Sequence, residues 1–218
     1  MDESGKQDFE SFNVVDVDLI CSRVKTLLAG KSIPERRYDF SSGTGSDQQE
    51  SFCLKEKEFL IIEGIHALNP ELSHRIGDNR TQRVYVSAMT QLNIDGDHRV
   101  STSDNRLLRR MVRDYKFRGY TPEQTLERWA SVRMGEERNI FPYQEQADFM
   151  FNSALVYELP VLCGTIKPLL QQISPSMENY HMVEKLLTLT QMFKTLDEKY
   201  VPGISILREF IGGSEFNY

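Results

Sequence analysis

Cysteine is scarce in this chain. Its three thiols, Cys21, Cys53 and Cys163, stand far apart, and none belongs to a CxxC pair or lies beside a histidine at metal-ligand spacing. That argues against a disulfide scaffold or a zinc module and points to reduced, buried thiols in a cytoplasmic protein. No apolar run reaches membrane-spanning length and no charged-then-apolar leader follows Met1, so no membrane partner is expected. Internal repeats and long low-complexity segments are lacking as well. Positive charge is in deficit: a net charge of -6 and a pI near 5.3 argue against general binding to nucleic acid. What remains is ordinary for a globular protein. With 39% hydrophobic and 27% charged residues, 218 residues suffice for one large domain or two small ones.

Against that acidic background one stretch stands out, Asn105 to Tyr120, NRLLRRMVRDYKFRGY. Arg106, Arg109, Arg110 and Arg113 fall at i, i+3, i+4 and i+7, which places four guanidinium groups on one face of a helix. The opposite face is Leu107, Leu108, Met111 and Val112. Like charges at this spacing repel by a few tenths of a kcal/mol per pair, so an anion is the natural guest. A solvated face is the commoner use of a charge run, and Asp104 and Asp114 partly neutralise this one. Arginine without interleaved glutamate nevertheless suits bidentate phosphate contacts better than hydration. Gly119 permits a sharp exit, and Thr121-Pro122-Glu123-Gln124 then reads as a capping box that starts a second helix through Trp129. Two helices joined at Arg118-Gly119 suit a lid that closes over a nucleotide.

Elsewhere the pattern is that of an α/β protein. Residues 16–29 read as a helix with Gly30 as its stop, and the Gly30-Lys31-Ser32 that follows imitates the tail of a Walker A loop. The full motif requires glycine where Lys25 stands and a strand where this helix stands, so it is rejected. After Tyr38-Asp39-Phe40 the segment SSGTGSDQQES reads as a loop. Phe59-Leu60-Ile61-Ile62 reads as a strand apolar on both faces, the kind found in a parallel sheet flanked by helices. Ligands in such sheets sit beyond the carboxyl ends of the strands, where Glu63 is placed to support Mg²⁺ or orient a nucleophile, unless it makes only a loop contact. Val84–Ser87 and Ala147–Asn152 read as further strands, Leu155–Leu162 as a helical stretch, and about Met177 to Leu196 as a last long helix.

Tyr38-Asp39-Phe40, FLIIEGIHAL, LLRRMVRDYKFRGY with Val132-Arg133, Ile140-Phe141-Pro142 and Ala147-Asp148 occur in an order that resembles the uridine kinase and phosphoribulokinase family of P-loop kinases. NSALVYEL followed by SILREFIGGS looks most like its uridine-kinase-like subgroup. The resemblance implies a partial uridine-kinase-like domain over residues 1–218, a lid over about 105–140 and a C-terminal helical segment over about 175–218. It implies ATP and Mg²⁺ as cofactors, and a nucleoside or sugar as acceptor. By the same resemblance Glu63 supports the metal, and Arg109, Arg110, Arg113 and Arg118 grip the phosphates, acting by position and charge. Tyr38 then lies near the base, Glu10 near the ribose hydroxyls, and Arg128 stands where the family has a base-contacting Gln.

Departures matter equally. A base-recognising His of the family is Gly43 here, and a lid arginine after the Arg-Gly pair is Tyr120. Within the family, the Walker A loop and a catalytic Asp lie upstream of the stretch matching DESGKQDFES, and neither occurs in this sequence. The missing part includes a central strand, so Phe59–Ile62 is expected to expose apolar surface. The chain by itself is accordingly expected to be marginally stable or to form homo-oligomers, and not to phosphorylate nucleosides. Sedimentation and calorimetry with a coupled kinase assay test this: a cooperative melt of a monomer together with ATP-dependent turnover overturns it.

Overall fold

Asp16 opens the first helix, its carboxylate accepting a hydrogen bond from Leu19 N at 3.0 Å, and α1 runs over Val17–Leu28. The computed structural model describes residues 11–39, 44–77, 81–90, 92, 93, 96 and 99–217. By contact the chain divides into two units, residues 1–85 with 134–149 and residues 86–133 with 150–218.

In the first unit α1 is followed by β1, Ile33–Asp39, and β2, Thr44–Phe52, an antiparallel pair with Ile33 opposite Phe52 and Asp39 opposite Thr44. The segment read as a Ser/Gly loop is therefore largely a strand. Its composition hid it: TGSDQQESF carries no apolar alternation because the hairpin is exposed along most of its length, and the order comes from backbone pairing. Asp47 adds a side-chain tie, meeting Arg23 at 2.6 Å and Arg36 at 2.9 Å. A short helix absent from the sequence reading, α2 over Pro70–Ile76, is capped by Asn69 and stopped by Gly77 at φ +71°. Val17, Cys21 and Val24 of α1 close on Leu72 and Ile76 of α2, and this small cluster is the core of the unit.

Phe59–Ile62, expected as a strand, is irregular, with Phe59 90% and Ile61 86% exposed. The physical reason is the want of a ladder: an apolar run becomes a strand only against neighbours that pair with its backbone, and among the described residues none does. The parallel sheet forms elsewhere. β3, Val84–Ser87, pairs with β4, Phe149–Asn152. Arg83 O accepts from Phe149 N at 3.2 Å and Ser87 O from Ser153 N at 2.8 Å, so partner numbers rise together and the strands run parallel. A parallel pair with intervening helices is the α/β arrangement expected from the sequence.

The second unit holds the larger core. α3, Thr102–Phe117, and α4, Pro122–Asn139, are joined by a short turn, followed by α5, Glu158–Leu170, α6, Tyr180–Gln191, and the short α7, Arg208–Ile211, and α3 packs on α5 and α7. Leu107, Leu108, Met111 and Val112 are buried with Leu126, Trp129, Leu162, Ile166, Leu186 and Leu207, so the apolar face of the arginine helix lies where its periodicity put it. Cys163 is inside this core as a free thiol, and burial pushes its pKa up to about 11, which keeps it protonated and unreactive at neutral pH. No helix among the described residues is long and apolar enough to cross a membrane.

Burial divides the apolar side chains into those that hold the fold and those that do not. Leu108→Ala is expected to lower unfolding free energy by about 2–5 kcal/mol in urea titrations, since it opens a cavity at a fully buried site. Phe59→Ser is expected to stay within about 0.5 kcal/mol of wild type. Equal losses for the two would show that Phe59 is buried in solution.

Candidate functional site

The arginines sit on α3 because its other face is needed in the core. Ser101 caps the helix, Leu108, Met111 and Val112 seal its inner side, and the arginines are left at the rim and outside. They do not share one environment. Arg109, next to the apolar arc, folds inward: its Nε donates to Glu158 Oε2 at 2.9 Å, Nη1 to Ser153 Oγ at 3.2 Å and Nη2 to Ser153 O at 2.7 Å, with a further short contact from Nη2 to Glu158. Its guanidinium also lies 5.2 Å from the centre of the Phe210 ring. Glu158, 1% exposed, accepts in addition from Asn105 Nδ2, which also donates to Thr90 Oγ1 at 2.8 Å. Arg109 is thus fixed in a buried network, apart from the phosphate-facing role that its place on the helical wheel suggested. The wheel gives a direction for the Cα–Cβ bond, and a long side chain at the rim still reaches a buried carboxylate.

The outer arginines converge on Asp114, which is 3% exposed. Arg110 Nε lies 3.3 Å from Asp114 Oδ2, while Arg113 Nη2 and Arg118 Nη1 each lie 3.4 Å from Oδ1. The spacing explains the gathering: Arg110 and Arg118 stand four residues either side of Asp114, and Arg113 is its neighbour. Three positive charges against one negative leave a local excess of two. Burial, then the charge of Arg118, lowers the pKa of Arg113, so its cation is held at a cost that a second anion would relieve. Asp104 takes no part in this cluster through its ion pair, which goes to Lys185 at 2.7 Å.

The turn after α3 is shaped by Gly119 at φ +67°, and Asp114 O accepts from Arg118 N at 3.1 Å and from Tyr120 N at 3.2 Å. Thr121 and Gln124 then exchange hydrogen bonds, Thr121 N to Gln124 Oε1 at 2.9 Å and Gln124 N to Thr121 Oγ1 at 3.3 Å, the reciprocal box legible in the sequence. One turn into α4, Arg128 stacks on Tyr120 with its guanidinium 4.3 Å from the ring centre. Arg110, Arg113, Arg118, Tyr120 and Arg128 therefore belong to one corner of the second unit.

The other expected site residues belong to the first unit. Tyr38 is an exposed residue of β1 opposite Gly45, Glu63 is exposed in the irregular segment after Ile62 rather than at a strand end, and Glu10 and Gly43 lie outside the described residues. No cluster of three or more potential metal ligands occurs among the described residues. Magnesium in phosphoryl transfer takes one or two carboxylates and completes its shell with phosphate oxygens and water, so Glu63 fits it only together with a bound nucleotide. The arginine corner fits a polyphosphate directly, through planar donors at two or more oxygens.

The chain is thus an α/β protein in which the end of α3 and the turn after it gather three arginines. Residues 2–159 match the Phosphoribulokinase / Uridine kinase family, and the chain belongs to that family. It is similar to a uridine kinase of Staphylococcus epidermidis strain ATCC 35984, 32% identical over 136 residues that cover 62% of this chain and 57% of that protein. A uridine kinase of Staphylococcus aureus strain JH9 is 29% identical over 150 residues, which cover 68% of this chain and 64% of that protein. The matches thus span about three-fifths of the length of these relatives.

Two side chains in this corner escaped the sequence reading in their full role. Asp114 was legible as a neutralising charge but not as the hub of three arginines. Glu158 had a weaker signal, a lone acid in the apolar run ALVYELPVL. Because Arg109 and Glu158 are both buried, Glu158→Ala is expected to lower stability by about 3–5 kcal/mol, leaving an uncompensated guanidinium in the core. Thermal and denaturant unfolding check this, and a loss under about 1 kcal/mol would mean that water reaches the pair.

Proposed function

We propose that this chain carries the phosphate-gripping lid and acceptor side of an ATP-dependent nucleoside kinase, in which the γ-phosphoryl group passes to a 5′-hydroxyl. The observation that carries the reading is the gathering of Arg110, Arg113 and Arg118 at one buried carboxylate with positive charge in excess. Membership of the family and similarity to proteins named uridine kinase support the same class of reaction. Arg110, Arg113 and Arg118 hold the nucleotide's phosphates and offset the charge that develops as the phosphoryl group moves. Arg109 acts behind them as an anchor. Residues from about 105 to 140 are the lid, and Glu10, Tyr38, Arg110 and Arg128 are the residues assigned to the acceptor by family resemblance. Glu63 would hold Mg²⁺ directly or through water, and the ion would supply charge neutralisation at the phosphates when bound with ATP. A cytoplasmic setting supplies the ATP and the nucleoside or sugar acceptor.

The sequence contains no complete GxxxxGK[ST] loop, so these 218 residues alone bind phosphate without turnover. That same absence favours a second reading, a nucleotide- or phosphate-binding regulatory module. The two share the arginine corner and differ in whether catalysis returns when the protein is joined to a P-loop partner.

Calorimetric titration with tripolyphosphate and ATP tests the shared core. Wild type is expected to bind both, and Arg110→Ala, Arg113→Ala and Arg118→Ala each to raise Kd about tenfold or more, the worth of one charge-assisted hydrogen bond. A folded wild-type chain that binds neither ligand overturns the phosphate reading. ATP-dependent phosphorylation of uridine by the chain alone overturns the claim that it lacks turnover.

A further inference from the structure

Asp114 presents a contradiction if its charge alone is considered. It is a carboxylate placed inside an anion site, where it offsets one of the positive charges a phosphate would meet. Its burial makes the contradiction sharper, since an acidic side chain is rarely taken out of water without use. Its geometry supplies the use. One side chain spans three guanidinium groups that come from either side of it along the helix, and the last, Arg118, lies beyond the helix end. Its backbone oxygen accepts from both Arg118 and Tyr120, so the same residue fixes the turn from which Arg118 projects.

We propose that Asp114 is a positioning residue, an internal anion that holds Arg110, Arg113 and Arg118 converged before any phosphate arrives. This rests on the phosphate reading above and adds to it. Arginine side chains repel one another and lose conformational freedom when ordered, so without a central carboxylate the three groups splay into solvent. With it, the three are gathered in the free protein and an incoming polyphosphate bears less of that cost. The excess of two positive charges ensures that the carboxylate gathers the arginines without saturating them. Arg109 is held independently by Glu158 and is not part of the device.

Charge and positioning predict opposite signs, which makes the inference testable. Asp114→Asn removes one negative charge at nearly constant shape. If charge governs, tripolyphosphate binds more tightly to the variant; if Asp114 positions the arginines, it binds more weakly. The expected result is a Kd at least tenfold higher for D114N than for wild type by calorimetry, with Asp114→Glu recovering part of the loss. Circular dichroism melts verify that the variants are folded. Wild-type binding with D114N equal or tighter overturns the positioning role and leaves the phosphate site standing, whereas no binding by wild type removes both. Should D114N not fold, ¹⁵N relaxation of the arginine Nε groups in ligand-free wild type carries the test. Arg110, Arg113 and Arg118 are expected to be as restricted as the backbone, and freely averaging signals overturn the inference.

Discussion

The buried pair of Arg109 and Glu158 is the contact on which the arginine helix depends. It fastens α3 to the start of α5 and, through Ser153, to the residue after β4. A guanidinium and a carboxylate out of water are tolerable only when their remaining donors and acceptors are met, and here Asn105 and Ser153 meet them. The result is directional. With Arg109 fixed inward and Leu108, Met111 and Val112 sealed in the core, α3 has little freedom to rotate about its axis. Arg110, Arg113 and Arg118 therefore project from a rigid support.

Two carboxylates divide the work of organising the helix. Glu158 lies in the core and spends its charge on one arginine, for stability and orientation. Asp114 lies at the rim and distributes its charge over three, none of them fully neutralised. The second arrangement is weaker as an ion pair and more useful for binding, since each guanidinium retains donors for another anion. The αL turn at Gly119 and the capping box after it complete the corner, because they decide where Arg118 and Tyr120 emerge.

The unit holding Glu63 and Tyr38 is built differently. Its core is a handful of side chains from α1 and α2, its hairpin is exposed, and Phe59 and Ile61 face solvent. Exposed apolar side chains do nothing for stability, so this unit rests on the small α1–α2 cluster and on the backbone pairing of its hairpin. The matched kinases extend beyond the part aligned with this chain.

Local chemistry was readable from the sequence wherever a residue acts on its own near neighbours. Thr121 with Gln124 as a box, Gly119 as a turn and the apolar face of α3 all depend on spacing within a few residues, and all stand where spacing put them. Residues 84–87 and 147–152 were legible as strands by the same kind of pattern, though not as partners. What the sequence could not decide was partnership across the chain. The strand expected at Phe59–Ile62 did not form, because a strand is a property of a pair and composition describes only one member. Polar β2 formed for the converse reason. Arg109 and Arg110 are adjacent and chemically identical, yet one is bound in the core to Glu158 and the other faces outward to Asp114. Only the packing of α3 against α5 separates them, since burial brings a distant carboxylate within reach of the first and leaves the second at the surface.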